Sequence, residues 1–136
     1  MILHGNAKTP ADLAFARDYG VGRIVIDSLG EIARIAAEAP EPQRVLLRIV
    51  PGVDAHTHAA LTTGTEHQKF GLSLATGDAA EAVRRVLGQK PLTLSGVHAH
   101  IGSQVSRFGA YEQEIRQLVA FFWRASTTNT ESPCRN

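Results

Sequence analysis

Two alternating histidines, His98 and His100, stand in the stretch GVHAHIGSQ at positions 96–104. An apolar run with Leu92, Leu94 and Val97 leads into them, and a Gly102-Ser103 step follows. Residues i and i+2 of a β-strand share a face, so both imidazoles point the same way at the strand's C-terminal end. The Gly-Ser turn adds backbone N–H groups and a hydroxyl where an anion could sit. In parallel α/β folds, ligands bind at that end of the strands. The plainer reading of either histidine, on local sequence alone, is an imidazole packed and satisfied in a core.

Metal chemistry is a rival use of the same residues. His-x-His occurs twice, at 56–58 and at 98–100. On a barrel strand that spacing is the arrangement of amidohydrolase-like metal-dependent hydrolases. Such a site wants further His or Asp ligands on other strand ends. Here His56 and His58 fall in a loop, and Asp27 is the one carboxylate at a strand end. The expectation is therefore no metal. Neither a phosphate-binding P-loop nor a Gly-x-Ser-x-Gly elbow occurs.

The elements that must position these residues alternate between strand and helix. Ile2-Leu3 reads as a strand stub. Thr9 is an N-cap with Pro10 at N1 and Asp12 at N3, for a helix striped by Leu13, Ala16 and Tyr19 and stopped by Gly20. RIVID (23–27) is a buried strand. Ser28 and Glu31 form a capping box for a helix carrying Ile32, Ile35 and Ala36, broken by Pro40 and Pro42. VLLRIV (45–50) is strand-like with one charge, Arg48, which needs a partner if buried and is expected to anchor barrel carboxylates. Asp27, at its own strand end, is expected to cap the following helix rather than face the site. Residues 51–68 form a long loop. Thr76 or Asp78 opens a helix stopped by Gly88, strand 92–100 follows, and a last helix carries Tyr111, Ile115, Leu118, Val119 and Phe122.

Near-continuous apolar strands alternating with helices imply a parallel sheet. A full (β/α)₈ barrel takes about 250 residues, and 136 residues supply three or four βα units of one. The expected fold is α/β, a partial TIM barrel. Composition is that of a soluble globular protein, 43% apolar and 20% charged. A formal net charge of +1 gives no reason to expect a nucleic-acid or membrane partner. No apolar run approaches the roughly 20 residues of a membrane span, and MILHGN lacks the pattern of a signal peptide. The single cysteine, Cys134, excludes an internal disulfide and fits a reducing cytoplasm.

Four stretches, in order, resemble the diaminopimelate decarboxylases. These are pyridoxal phosphate (PLP) enzymes of the barrel fold shared with ornithine and arginine decarboxylases and alanine racemase. HGNAK (4–8), PGVDAHTH (51–58), QKFGLS (68–73) and HIGSQ (100–104) match that family's motifs, and the resemblance covers about residues 3–122. It implies an alanine racemase-like PLP-binding barrel and decarboxylation at the D-centre of meso-diaminopimelate to give lysine. His100 resembles the histidine that stacks on the pyridine ring, and Ser103 the serine that hydrogen-bonds the cofactor. His98 and Arg48 would lie behind these contacts. The 51–69 loop, with His56 and His58, would lie near the mouth, although each loop histidine can equally be a solvated side chain. Lys69 resembles a lysine that pairs with an acidic residue of the other subunit, so the full-length protein is expected to be a homodimer.

The resemblance also marks absences. The family's cofactor-bearing lysine precedes the position of Met1. Its phosphate-binding glycines, and the residues that the partner subunit contributes, follow residue 122. Lys8, Lys69 and Lys90 do not replace that lysine, so no catalytic residue is expected in this chain and the isolated chain is expected to be inactive. A second hypothesis makes it a pseudogene or gene-fragment product that folds poorly.

Residues 123–136, WRASTTNTESPCRN, break the helical pattern. They read as a non-family tail, either disordered or frameshifted. Read from each third codon base onward with TCN serines, the codons for 125–136 allow IHDEHGVSLPE, which would complete the helix and turn toward another strand.

Overall fold

A computed structural model describes residues 1–38, 42–51, 70–100 and 108–127. Five strands, β1 (Ile2–Leu3), β2 (Arg23–Ile26), β3 (Gln43–Val50), β4 (Leu72–Ser73) and β5 (Leu92–Ala99), form one sheet. Every strand pair is parallel. β3 is the hub. It pairs with β2, with β5 along most of its length, and with β4 at Ile49 and Val50. The helices α1 (Pro10–Asp18), α2 (Leu29–Glu38), α3 (Asp78–Leu87) and α4 (Phe108–Thr127) complete four βα units, the partial barrel read from the sequence.

Strand residues alternate between two environments, as a period of two requires. Ile24 and Ile26 of β2 join Val45, Leu47 and Ile49 of β3 in the core under the helices. The helices supply Leu13 and Ala16, Ile32 and Ile35, and Ala79, Ala82, Val83 and Val86. The opposite face carries Leu46 and Arg48 of β3 toward the interior that a barrel would enclose.

Local capping follows the sequence at α1 and departs from it elsewhere. The Thr9 Oγ1 accepts from the Asp12 N–H at 3.2 Å, and the Asp12 carboxylate accepts from the Thr9 N–H at 2.8 Å. Both N-terminal donors are thereby satisfied. Gly20 takes the left-handed φ of 64° just past the helix end. Neither Thr76 nor Asp78 caps α3. Its N-cap is Gly77, at φ 85°. Ser73 instead accepts from the Ala75 and Thr76 N–H groups, which fixes the turn before the helix. α4 continues to Thr127, past the change of composition at Trp123. No helix among the described residues is long and apolar enough to cross a membrane.

Candidate functional site

The placement of His98 depends on an irregularity in β5. Val45 pairs with Leu94, but Leu46 pairs with Gly96, so Ser95 is an extra residue opposite the β3 ladder. A bulge of this kind reverses which face each later residue takes. Leu92 and Leu94 pack toward the helices, and beyond the bulge Val97 does so. His98 is thereby turned to the interior face, in register with Arg48. Without the extra residue, His98 would share the face of Leu92 and Leu94. Gly96 takes a φ of 153°, outside the comfortable range of an L side chain.

Charges at the strand ends are held by a buried network. Arg48 donates from Nη1 to the Asp27 Oδ1 at 2.7 Å. The other Asp27 oxygen accepts from the Gly71 N–H at 3.1 Å. Asp27 therefore ties β2 to β3 and to the segment entering β4, and does not cap α2. The Arg48 guanidinium also lies 5.2 Å from the centre of the Phe70 ring. A Cβ at Gly71 would come within 2.8 Å of the Val50 Cγ2 and 3.2 Å of the Arg48 carbonyl, so only glycine allows this close approach.

A second ion pair sits beside the first. Lys8 is 5% exposed and Glu31 1%, and their charged atoms are 3.0 Å apart. Lys8 also donates to the Gly5 carbonyl. The Glu31 Oε2 accepts from the Asp27 N–H at 2.8 Å, so Glu31 secures the β2 end rather than forming the expected box with Ser28. The other Glu31 oxygen is buried with no hydrogen-bond partner. Nothing in the residues around Lys8 marks it as one half of a buried pair. The available signal was Glu31 four residues after Asp27, a spacing that lets a first-turn side chain fold back onto the strand end.

The His98 ring meets the His4 ring edge-on, with centroids 4.7 Å apart. Burial, then the neighbouring His4, Arg48 and His100, hold the His98 imidazole below the usual histidine range. Its Nδ1 is buried without a partner. His100 lies one residue past β5 and is exposed. Across from it on α4, burial pushes the Glu114 carboxyl up, against the opposing pull of His100. Ser103, His56, His58 and Lys69 lie outside the described residues.

The mouth is thus lined by His4, Arg48, His98 and His100, and its buried carboxylate Asp27 is already committed to Arg48. The His98 ring with its unpartnered Nδ1 and the exposed His100 ring fit a flat polar aromatic group such as a substituted pyridine. They suit a divalent cation poorly, because the Arg48 guanidinium stands beside His98. Among the described residues, no three His, Cys, Asp or Glu side chains gather as metal ligands would.

A parallel sheet backed by helices, with its polar groups collected where the strands end, defines part of a ligand-binding (β/α) barrel. The model of the family described as pyridoxal-dependent decarboxylase, pyridoxal binding domain, matches residues 1–134, and the chain belongs to that family. It is 56% identical over 119 residues to a diaminopimelate decarboxylase of Actinosynnema pretiosum, covering 88% of this chain and 27% of that protein. It is 48% identical over 120 residues to the Mycobacterium tuberculosis enzyme of the same name, covering 86% and 27%. The crystal structure of diaminopimelate decarboxylase from M. jannaschii with L-lysine superposes with a TM-score of 0.82 at 29% identity, over 96% of this chain and 31% of that one. A structure of SrLDC with PLP and cadaverine gives 0.73 at 25% identity, over 95% and 29%. The chain spans about a quarter of the length of the curated relatives it matches.

Proposed function

We propose that this chain is the cofactor-side part of a PLP-dependent decarboxylase that converts meso-diaminopimelate to L-lysine in the cytoplasm, and that the 136 residues alone are inactive. The observation that carries the reading is the 56% identity to a diaminopimelate decarboxylase over 119 residues. In it, His100 would cover one face of the pyridine ring and Ser103 would hydrogen-bond the cofactor. Bound there, the cofactor supplies an electron sink for the pair left behind when a carboxylate departs as CO₂. The protein's own share is placement. Asp27 holds Arg48, and Arg48 helps keep His98 neutral. Lys8 and Glu31 fix the strand ends on which the mouth is built. The 51–69 loop, with His56 and His58, would screen the mouth from water, and Lys69 would face the other subunit of a homodimer. Residues 123–136 would lie outside this role as a tail without cofactor contacts, although the family model extends to residue 134.

A chimera tests the function. The matching segment of the Actinosynnema enzyme is replaced by residues 3–122 of this chain, and the product is given meso-diaminopimelate, ornithine, arginine and lysine in turn. Lysine forms from meso-diaminopimelate, and the other three are decarboxylated far more slowly. The 136-residue chain by itself, given PLP and the same substrates, forms no lysine. Preference of the chimera for ornithine or arginine would remove the substrate assignment.

A further inference from the structure

The inward face of α4 changes character along its length. Leu118, Phe121 and Ala125 pack against the core. Residues four apart on a helix lie on one face. One turn back from Leu118 stands Glu114, and one turn back from Phe121 stands Gln117. Glu114 is 6% exposed. Its Oε1 and the Oε1 of Gln117 are both buried, with no hydrogen-bond partner among the described residues. Two polar side chains thus occupy positions that the helical pattern would fill with Leu or Val.

A carboxyl enclosed in this way costs stability unless something answers it. The field of the helix N-terminus does not, because it fades within the first turn. Glu114 lies in the second turn of a helix that begins at Phe108. The nearby Arg116 is engaged elsewhere, with Glu112 at 2.6 Å on the exposed side. What does act on Glu114 is His100, one residue past the end of β5. Burial pushes the Glu114 carboxyl up, and the imidazole pulls it back down.

We propose that Glu114 is a positioning residue for His100: its carboxyl accepts the imidazole N–H, with the Gln117 oxygen as the neighbouring acceptor, and so sets the plane of the ring. An exposed histidine otherwise turns between rotamers. Fixing one of them at the strand end removes that freedom before any ligand arrives. The consequence for a cofactor rests on the reading that His100 covers the pyridine ring. A ring that stacks must hold one plane, and α4 supplies the group that holds it.

Two measurements separate the contact from its use. In the full chain, carbon-13 NMR follows the titration of the Glu114 carboxyl. In His100→Ala that titration moves to higher pH, because the pull of the imidazole is gone. An unmoved titration overturns the proposal. Glu114→Leu completes the apolar face, so its melting temperature equals or exceeds that of the wild type. A lower one would make the carboxyl a structural group and overturn the proposal as well. In the chimera carrying residues 3–122, Glu114→Leu weakens the visible circular dichroism of bound PLP and lowers kcat about tenfold, with KM little changed. Glu114→Gln, which keeps an acceptor in place, retains most of both. If Glu114→Leu changes neither while His100→Ala loses PLP, the positioning role is wrong and the cofactor reading stands. If His100→Ala keeps its PLP too, the cofactor reading fails, and the contact stands or falls on the carbon-13 shift.

Discussion

Replacing Lys8 with Met lowers the stability of the fold by about 3–5 kcal/mol, the range for removing one partner of a buried ion pair. The geometry dictates a value this large. Glu31 is almost wholly enclosed, and its Oε1 already lacks a hydrogen-bond partner. Without Lys8, the Glu31 carboxylate would keep the Asp27 N–H on Oε2 and lose the charge that stands 3.0 Å away. Domains of this size are stable by about 5–15 kcal/mol, so the variant loses a large part of its margin. Urea unfolding followed by circular dichroism measures the change. The double variant Lys8→Met with Glu31→Gln should recover much of the loss, since Gln removes the stranded charge and keeps an acceptor for Asp27. Equal stability of Lys8→Met and wild type would mean that the pair is not buried as described.

Replacing Arg48 with Met costs about 3 kcal/mol or more for the same reason, and its effect reaches further along the chain. Asp27 would retain the Gly71 N–H and lose the guanidinium at 2.7 Å. Phe70 would lose the cation above its ring, a smaller contribution because Phe70 is partly exposed. His98 would lose one of the neighbours that hold it below the usual histidine range. Its titration, followed by NMR of the ring protons, therefore moves upward in Arg48→Met. A residue that served only to fill space would leave that titration where it was. A double variant with Asp27→Asn checks the assignment: stability partly returns, and the upward His98 shift shrinks, because the Asp27 carboxylate that pulled the imidazole upward is gone as well.

Much of this arrangement was legible in the sequence because it is local. Thr9, Pro10 and Asp12 signal the start of α1 by side-chain chemistry alone, and the structure has that capping box. The parallel α/β class follows from the apolar runs of β2 and β3 between amphipathic stretches. Arg48 had to find a partner, because an unpaired guanidinium in such a strand is too costly to keep. What could not be read was the identity of partners brought together across units. Asp27 has the look of a cap for the next helix, yet its oxygens are taken by β3 and by Gly71. Glu31 has capping-box spacing, but a buried lysine from the preceding unit competes for its carboxylate. The bulge at Ser95 carries no local signal beyond Gly96, and it alone turns His98 inward.

The proposed contact of His100 with a pyridoxal group at the end of β5 is open to a direct measurement, cofactor retention. In the chimera carrying residues 3–122, His100→Ala should lose bound PLP on gel filtration, as read by the visible absorbance that stays with the protein, and turnover should fall with it. Far-ultraviolet circular dichroism should be unchanged, since His100 is exposed at the strand end. Retention and turnover both equal to those of the unmutated chimera would contradict the account and return His100 to an ordinary surface histidine.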